Sequence, residues 1–101
     1  MPIYETGAYR VKPTGVAKVK QAIEEFVRHV CANEPGSQLY FAWQEKDDPT
    51  RFLHFFIFAD EAAHERHAGS DAVKRFQAAY EPELADGGVR FTTYEMVAGK
   101  N

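Results

Sequence analysis

Between residues 16 and 30 the apolar positions are Val16, Val19, Ile23, Phe26, Val27 and Val30, a three-and-four spacing that lays one stripe along a helix. Lys18, Lys20, Gln21, Glu24, Glu25 and Arg28 fall on the wet side. Pro13-Thr14-Gly15 precedes the stripe, with Thr14 placed to cap it, and Asn33 with Pro35-Gly36 ends it. Upstream, residues 3–11 are rich in β-formers and read as a strand. Residues 37–46 and 51–59 read as two more strands, joined by Asp47-Asp48-Pro49-Thr50, whose residue types suit a hairpin turn. The two aspartates are therefore expected in water, as turn residues rather than a paired acid–base site. Asp60 can cap a short helix to Ala68, and Gly69 breaks it. Ser70 or Asp71 then starts a helix to about Tyr80, with Val73, Phe76 and Tyr80 inward. Pro82 and Asp86-Gly87-Gly88 close that region before a last strand from Val89 to about Val97.

The order is strand, helix, strand, strand, helix pair, strand. It predicts one α+β domain over residues 1–101, ferredoxin-like βαββαβ, with helices on one face of a four-stranded antiparallel sheet. The third strand carries Phe52, Phe56 and Phe58 on one face and Leu53, Phe55 and Ile57 on the other. A sheet with one wet face should alternate apolar and polar residues. Helices cover one face only, so the second predicts a homodimer packed sheet to sheet.

Composition adds an aromatic load of eight Phe, five Tyr and one Trp in 101 residues. So much aromatic area points to a lined pocket, an interface, or both. The net charge is −3 without a basic run, so nucleic acid is not an expected partner. No apolar stretch approaches membrane-spanning length, and the N-terminus has no leader-like pattern, so the cytoplasm is the expected location. The lone Cys31 cannot form an internal disulfide and is expected in the core.

The segment Phe58-Ala59-Asp60-Glu61-Ala62-Ala63-His64-Glu65-Arg66-His67-Ala68-Gly69-Ser70 resembles the antibiotic biosynthesis monooxygenase family. Members commonly show an aromatic-ended strand, an acidic cap, a small-residue helix, then a histidine three residues before a serine or threonine. Here those last two are His67 and Ser70, and Lys74-Arg75-Phe76 also matches. The resemblance implies a dimeric α/β barrel that oxygenates a polyphenol or quinol without metal or flavin. Two positions depart from the pattern. Ala72 stands where a second histidine is common, and Phe56 where a glutamate is, which implies a more apolar pocket. A related haem-degrading branch is disfavoured, because His67 replaces its tryptophan and Gln77 its axial histidine.

His67 is the candidate catalytic residue, since an imidazole moves protons near neutral pH. It shares a helix face with the small Ala63, so it should turn into a closed apolar cavity. The bland reading is a hydrogen-bonded structural histidine at a helix end. Tyr40, Trp43, Phe56, Phe58, Phe76 and Tyr94 are the candidate substrate-binding residues; Tyr40 and Trp43 must lie on opposite faces of one strand. Tyr9 and Phe91 are further candidates for pocket or sheet core. His64 and His67 have a spacing that could hold a metal, with His54 only a remote third ligand, so no metal is expected. His29 is expected in solvent. No Gly-rich phosphate loop is present, so no cofactor is expected. The leading expectation is a cofactor-independent monooxygenase acting on a small aromatic or quinol-like compound. The alternatives are a non-oxidative isomerase or small-molecule binding protein and, more remotely, a haem-binding relative.

Overall fold

The structure, a computed structural model, describes residues 1–85 and 87–100. Its elements are β1 (Ile3–Arg10), α1 (Val16–Asn33), β2 (Ser37–Gln44), β3 (Arg51–Phe58), α2 (Glu61–Ala68), α3 (Asp71–Tyr80) and β4 (Arg90–Tyr94). The strands form one antiparallel sheet in the order β2-β3-β1-β4. This is the expected α+β ferredoxin-like βαββαβ fold, the protomer fold of the dimeric α/β barrel class.

α1 forms where its stripe was read, and buries Val19, Ile23, Phe26 and Val30. They pack against Ala72, Phe76 and Tyr80 of α3 and against Tyr9 and Phe52 of the sheet. A smaller cluster, Phe56, Phe58 and Ala63, lies beneath α2. Both short helices are capped as expected: Asp60 Oδ1 accepts from the Ala63 amide at 2.8 Å, and Ser70 Oγ from the Val73 amide at 3.2 Å. At the β2–β3 hairpin, Asp48 Oδ1 accepts from the Thr50 amide and hydroxyl at 3.1 and 2.6 Å.

Three local expectations are corrected. Thr14 does not cap α1; Pro13–Gly15 form a 3-10 turn, and Gly15 occupies the cap position without a side-chain bond. Cys31 is exposed, because it follows Val30 on the helix and so lies about 100° away from the buried stripe. β4 stops at Tyr94, paired with Tyr4, near the start of β1. Continuing the register would soon reach Pro2, which has no N–H for a ladder. Asp86, expected in the turn before β4, lies outside the described residues.

One close approach positions the site. A Cβ built on Gly36, just before β2, would come within 2.7 Å of the Ala63 Cβ. Glycine here lets α2 settle against the chain entering β2, which fixes the height of His64 and His67 above the sheet.

Candidate active site

Sheet register builds the floor of the site. His54 of β3 pairs with Gly7 on one side and Ala42 on the other, the smallest side chains in the row. The space beside the imidazole is thus left open. Tyr9 and Tyr40 flank it diagonally, one row below on β1 and one row above on β2. Their hydroxyls meet its two ring nitrogens: Tyr9 Oη to Nε2 at 2.7 Å and Tyr40 Oη to Nδ1 at 2.9 Å. His54 is only 3% exposed, and burial pushes its pKa down to about 4, so it is neutral at pH 7. Burial likewise holds both flanking phenols well above their usual range.

Above this floor is a half-open cavity of about 380 Å³. Phe26 of α1 and Val73, Phe76 and Tyr80 of α3 form its apolar wall, and Phe91 of β4 lies over Gly7 at the rim. α2 contributes two histidines, each beside a carboxylate. His64 Nε2 is 3.4 Å from Glu5 Oε1. His67 Nδ1 is 2.7 Å from Glu34 Oε1, which also accepts from Ser37 Oγ at 3.0 Å. Glu34 Oε2 is buried with no partner among the described residues. The Phe26, Tyr40 and Phe58 rings pack around the His67 imidazole, with centroids 5.7, 5.8 and 5.0 Å away.

His67 also borders a second, polar pocket of about 260 Å³, lined by His29, Asn33, Glu34, Arg66 and Ser70. It is a partition between the two spaces. Glu34 lines the polar pocket and not the cavity. The Nδ1 edge therefore turns outward to Glu34, and the opposite edge, with Nε2, is left for the cavity. A carboxylate on Nδ1 selects the tautomer whose Nε2 is free to accept a proton.

The family model for antibiotic biosynthesis monooxygenases matches residues 2–79. The chain belongs to the antibiotic biosynthesis monooxygenase family. Solved structures of candidate antibiotic biosynthesis monooxygenases superpose on it. One from Bacteroides thetaiotaomicron has a TM-score of 0.89 at 18% identity, covering 96% of this chain and 90% of its own. One from Caulobacter crescentus has 0.87 at 25%, covering 96% and 91%. One from Nitrosomonas europaea has 0.87 at 17%, covering 99% and 94%. No curated protein matches the chain.

In this family member, His67, Tyr40, Phe56 and Phe76 all line the cavity. Ala63 is buried, so the shared helix face does turn inward. The cavity is neither closed nor wholly apolar: it is half open, and Glu5 and three histidines reach it. Phe58 is fully buried beneath α2 and supports His64 and His67 from behind rather than lining the cavity. Trp43 and Tyr94, expected at the substrate, do not line this cavity. Their register partners, Leu53 and Tyr4, lie on the opposite face of the sheet, and both side chains are half exposed there. His54 and Tyr9 were underweighted. The signal for them was present: His54 alternates with Phe52, Phe56 and Phe58, so it had to share their buried face. Glu5 restores a carboxylate to the position that Phe56 leaves apolar, because the two are cross-strand partners. Among the described residues no three His, Cys, Asp or Glu side chains converge on a metal site, and no helix is long and apolar enough to cross a membrane.

Proposed function

We propose that this protein is a cofactor-independent monooxygenase acting on a small aromatic or quinol-like compound in the cavity above His54. The observation that carries the reading is His67: one edge is held by Glu34 at 2.7 Å and the other is left for an aromatic-walled space. Dioxygen reacts slowly with closed-shell organic molecules, but an electron-rich phenolate or enolate can pass it an electron. Proton removal is then the step the protein must promote. Nε2 of His67 takes the proton, and the Glu34 carboxylate stabilises the imidazolium that results. Recombination of the oxidised ring with reduced dioxygen forms a C–O bond. For a ring carbon bearing two hydrogens, the resulting peroxide loses water to leave a carbonyl. One oxygen atom stays in the product, the other leaves as water, and the substrate supplies all four electrons. Phe26, Phe56 and Phe76 offer flat apolar surface to a ring and keep bulk water from the anion.

The assembly we propose is a homodimer through the sheet face not covered by helices. Support comes from its apolar surface: Leu39, Phe41 and Trp43 of β2 and Leu53, Phe55 and Ile57 of β3 all point there.

The test is oxygen uptake with a panel of quinols and naphthols, product analysed by mass with labelled dioxygen. One labelled atom per product is expected. His67→Ala should keep its circular dichroism and lose about 10²–10⁴-fold in turnover, the range for a positioned proton-transfer group. Full activity in the folded variant removes His67 from the mechanism. Substrate conversion without oxygen uptake identifies the isomerase instead.

A further inference from the structure

We propose that the Tyr9–His54–Tyr40 chain is a specificity-determining wire that presents one hydrogen-bond donor to the cavity, so that the preferred ligand is a planar aromatic carrying a carbonyl or phenolate oxygen. The inference deepens the functional reading, since it rests on the same cavity being the ligand site.

The count of protons decides it. The three groups carry three polar hydrogens: one on each phenol and one on the neutral imidazole. Two of the three are spent on the contacts at 2.7 and 2.9 Å. A neutral imidazole donates from one nitrogen and accepts at the other. One tyrosine therefore donates to His54, and the other accepts from it. The accepting tyrosine keeps its own O–H unspent. Both tyrosines line the cavity, so at either end the spare hydrogen belongs to a residue of its wall.

The surroundings fix this count. His54 is buried and Gly7 and Ala42 flank it in the sheet, so no side chain from its own row competes for its nitrogens. The carboxylates of Glu34 and Glu5 act on Tyr40 and help to hold its proton in place, and the depressed imidazole pKa keeps a fourth proton out near neutral pH. The phenols hold their protons tightly, so the wire is a donor and not an acid. A ligand oxygen that gains negative charge is its natural acceptor, because donors fixed in advance act most strongly on developing charge. Tyr40 connects the two halves of the site: its hydroxyl is on His54, and its ring lies against His67. The oxygen would be held on one side while His67 meets the adjacent proton. The donor also switches ends with the His54 tautomer, so it can follow the oxygen in ligands of different shape.

The experiment is a binding comparison of 9-fluorenone with fluorene, which share one flat ring system and differ by the carbonyl oxygen. Neither needs oxygen or turnover, so a failed oxygenase assay leaves the comparison intact. Fluorenone is expected to bind several-fold to about tenfold more tightly, the range for one hydrogen bond. Its carbonyl stretch should move to lower wavenumber in the complex. The ¹⁵N shifts of His54 should change on adding fluorenone and stay near their free values with fluorene. The double variant Tyr9→Phe/Tyr40→Phe should lose the preference and the carbonyl shift. Equal affinity for the two probes, or a carbonyl stretch unmoved in the wild-type complex, overturns the proposal without recourse to any variant.

Discussion

His54 is the residue where burial and titration meet most directly. Its folded pKa, about 4, lies below its ordinary value of 6.5. The unfolded chain therefore takes up the proton first as pH falls. Stability tied to neutral His54 is full above about pH 6.5 and declines as pH approaches 4. The depression corresponds to about 3 kcal/mol across that window. Urea titrations at a series of pH values should show this decline. His54→Gln, which can still donate to one tyrosine and accept from the other, should flatten it. An unchanged slope in the variant would assign the acid sensitivity elsewhere. Period-two alternation in β3 placed His54 on the buried face, but nothing in the linear order told that Tyr9 and Tyr40 would meet its two nitrogens. Those contacts depend on register across three strands. The Glu34–His67 pair was hidden for a similar reason: its partners lie 33 positions apart and meet only because α2 folds back over the end of α1.

At the scale of elements, the chain was read well wherever one periodicity ruled a segment. α1 and β3 are such segments, and both formed within a residue or two of their expected limits. β4 was read too long because its end depends on β1, a strand at the far end of the chain. The seat of α2 was not legible either, since it depends on an absent Cβ. A side chain at Gly36 would run into Ala63 and approach the Arg66 guanidinium at 3.2 Å. Gly36→Val should therefore lift α2 and cost about 1–3 kcal/mol, the usual range for overpacking. Denaturant unfolding measures that loss. Oxygen uptake should fall further than stability predicts, because His67 moves with the helix. A variant with parental stability and parental turnover would show that the contact relaxes freely.

At the scale of the molecule, the two faces of the sheet have different fates. One carries the cavity and the helices. The other leaves Phe41, Trp43 and Tyr94 about half exposed, at 49, 50 and 50%. Trp43 is the only tryptophan, so it reports on that face alone. If copies pair there, its emission should shift to the blue as concentration rises, in step with dimer mass by sedimentation. Ile57→Lys should hold the protein as a monomer with red-shifted emission. A parent chain that stays monomeric and folded at high micromolar concentration would refute the pairing. The order of the strands carries a different consequence, for synthesis. β1 forms the centre of the cavity floor, yet one of its edges is covered only by β4, with Tyr4 against Tyr94 and Gly7 against Phe91. A ribosome releases these partners at opposite ends of its work on the domain. The helices and the β2–β3 hairpin emerge before β4, which brings Phe91 to the rim of the cavity. The pocket is thus among the last parts of the newborn chain to be completed, and a ligand that needs the finished pocket arrives too late to guide the steps before it.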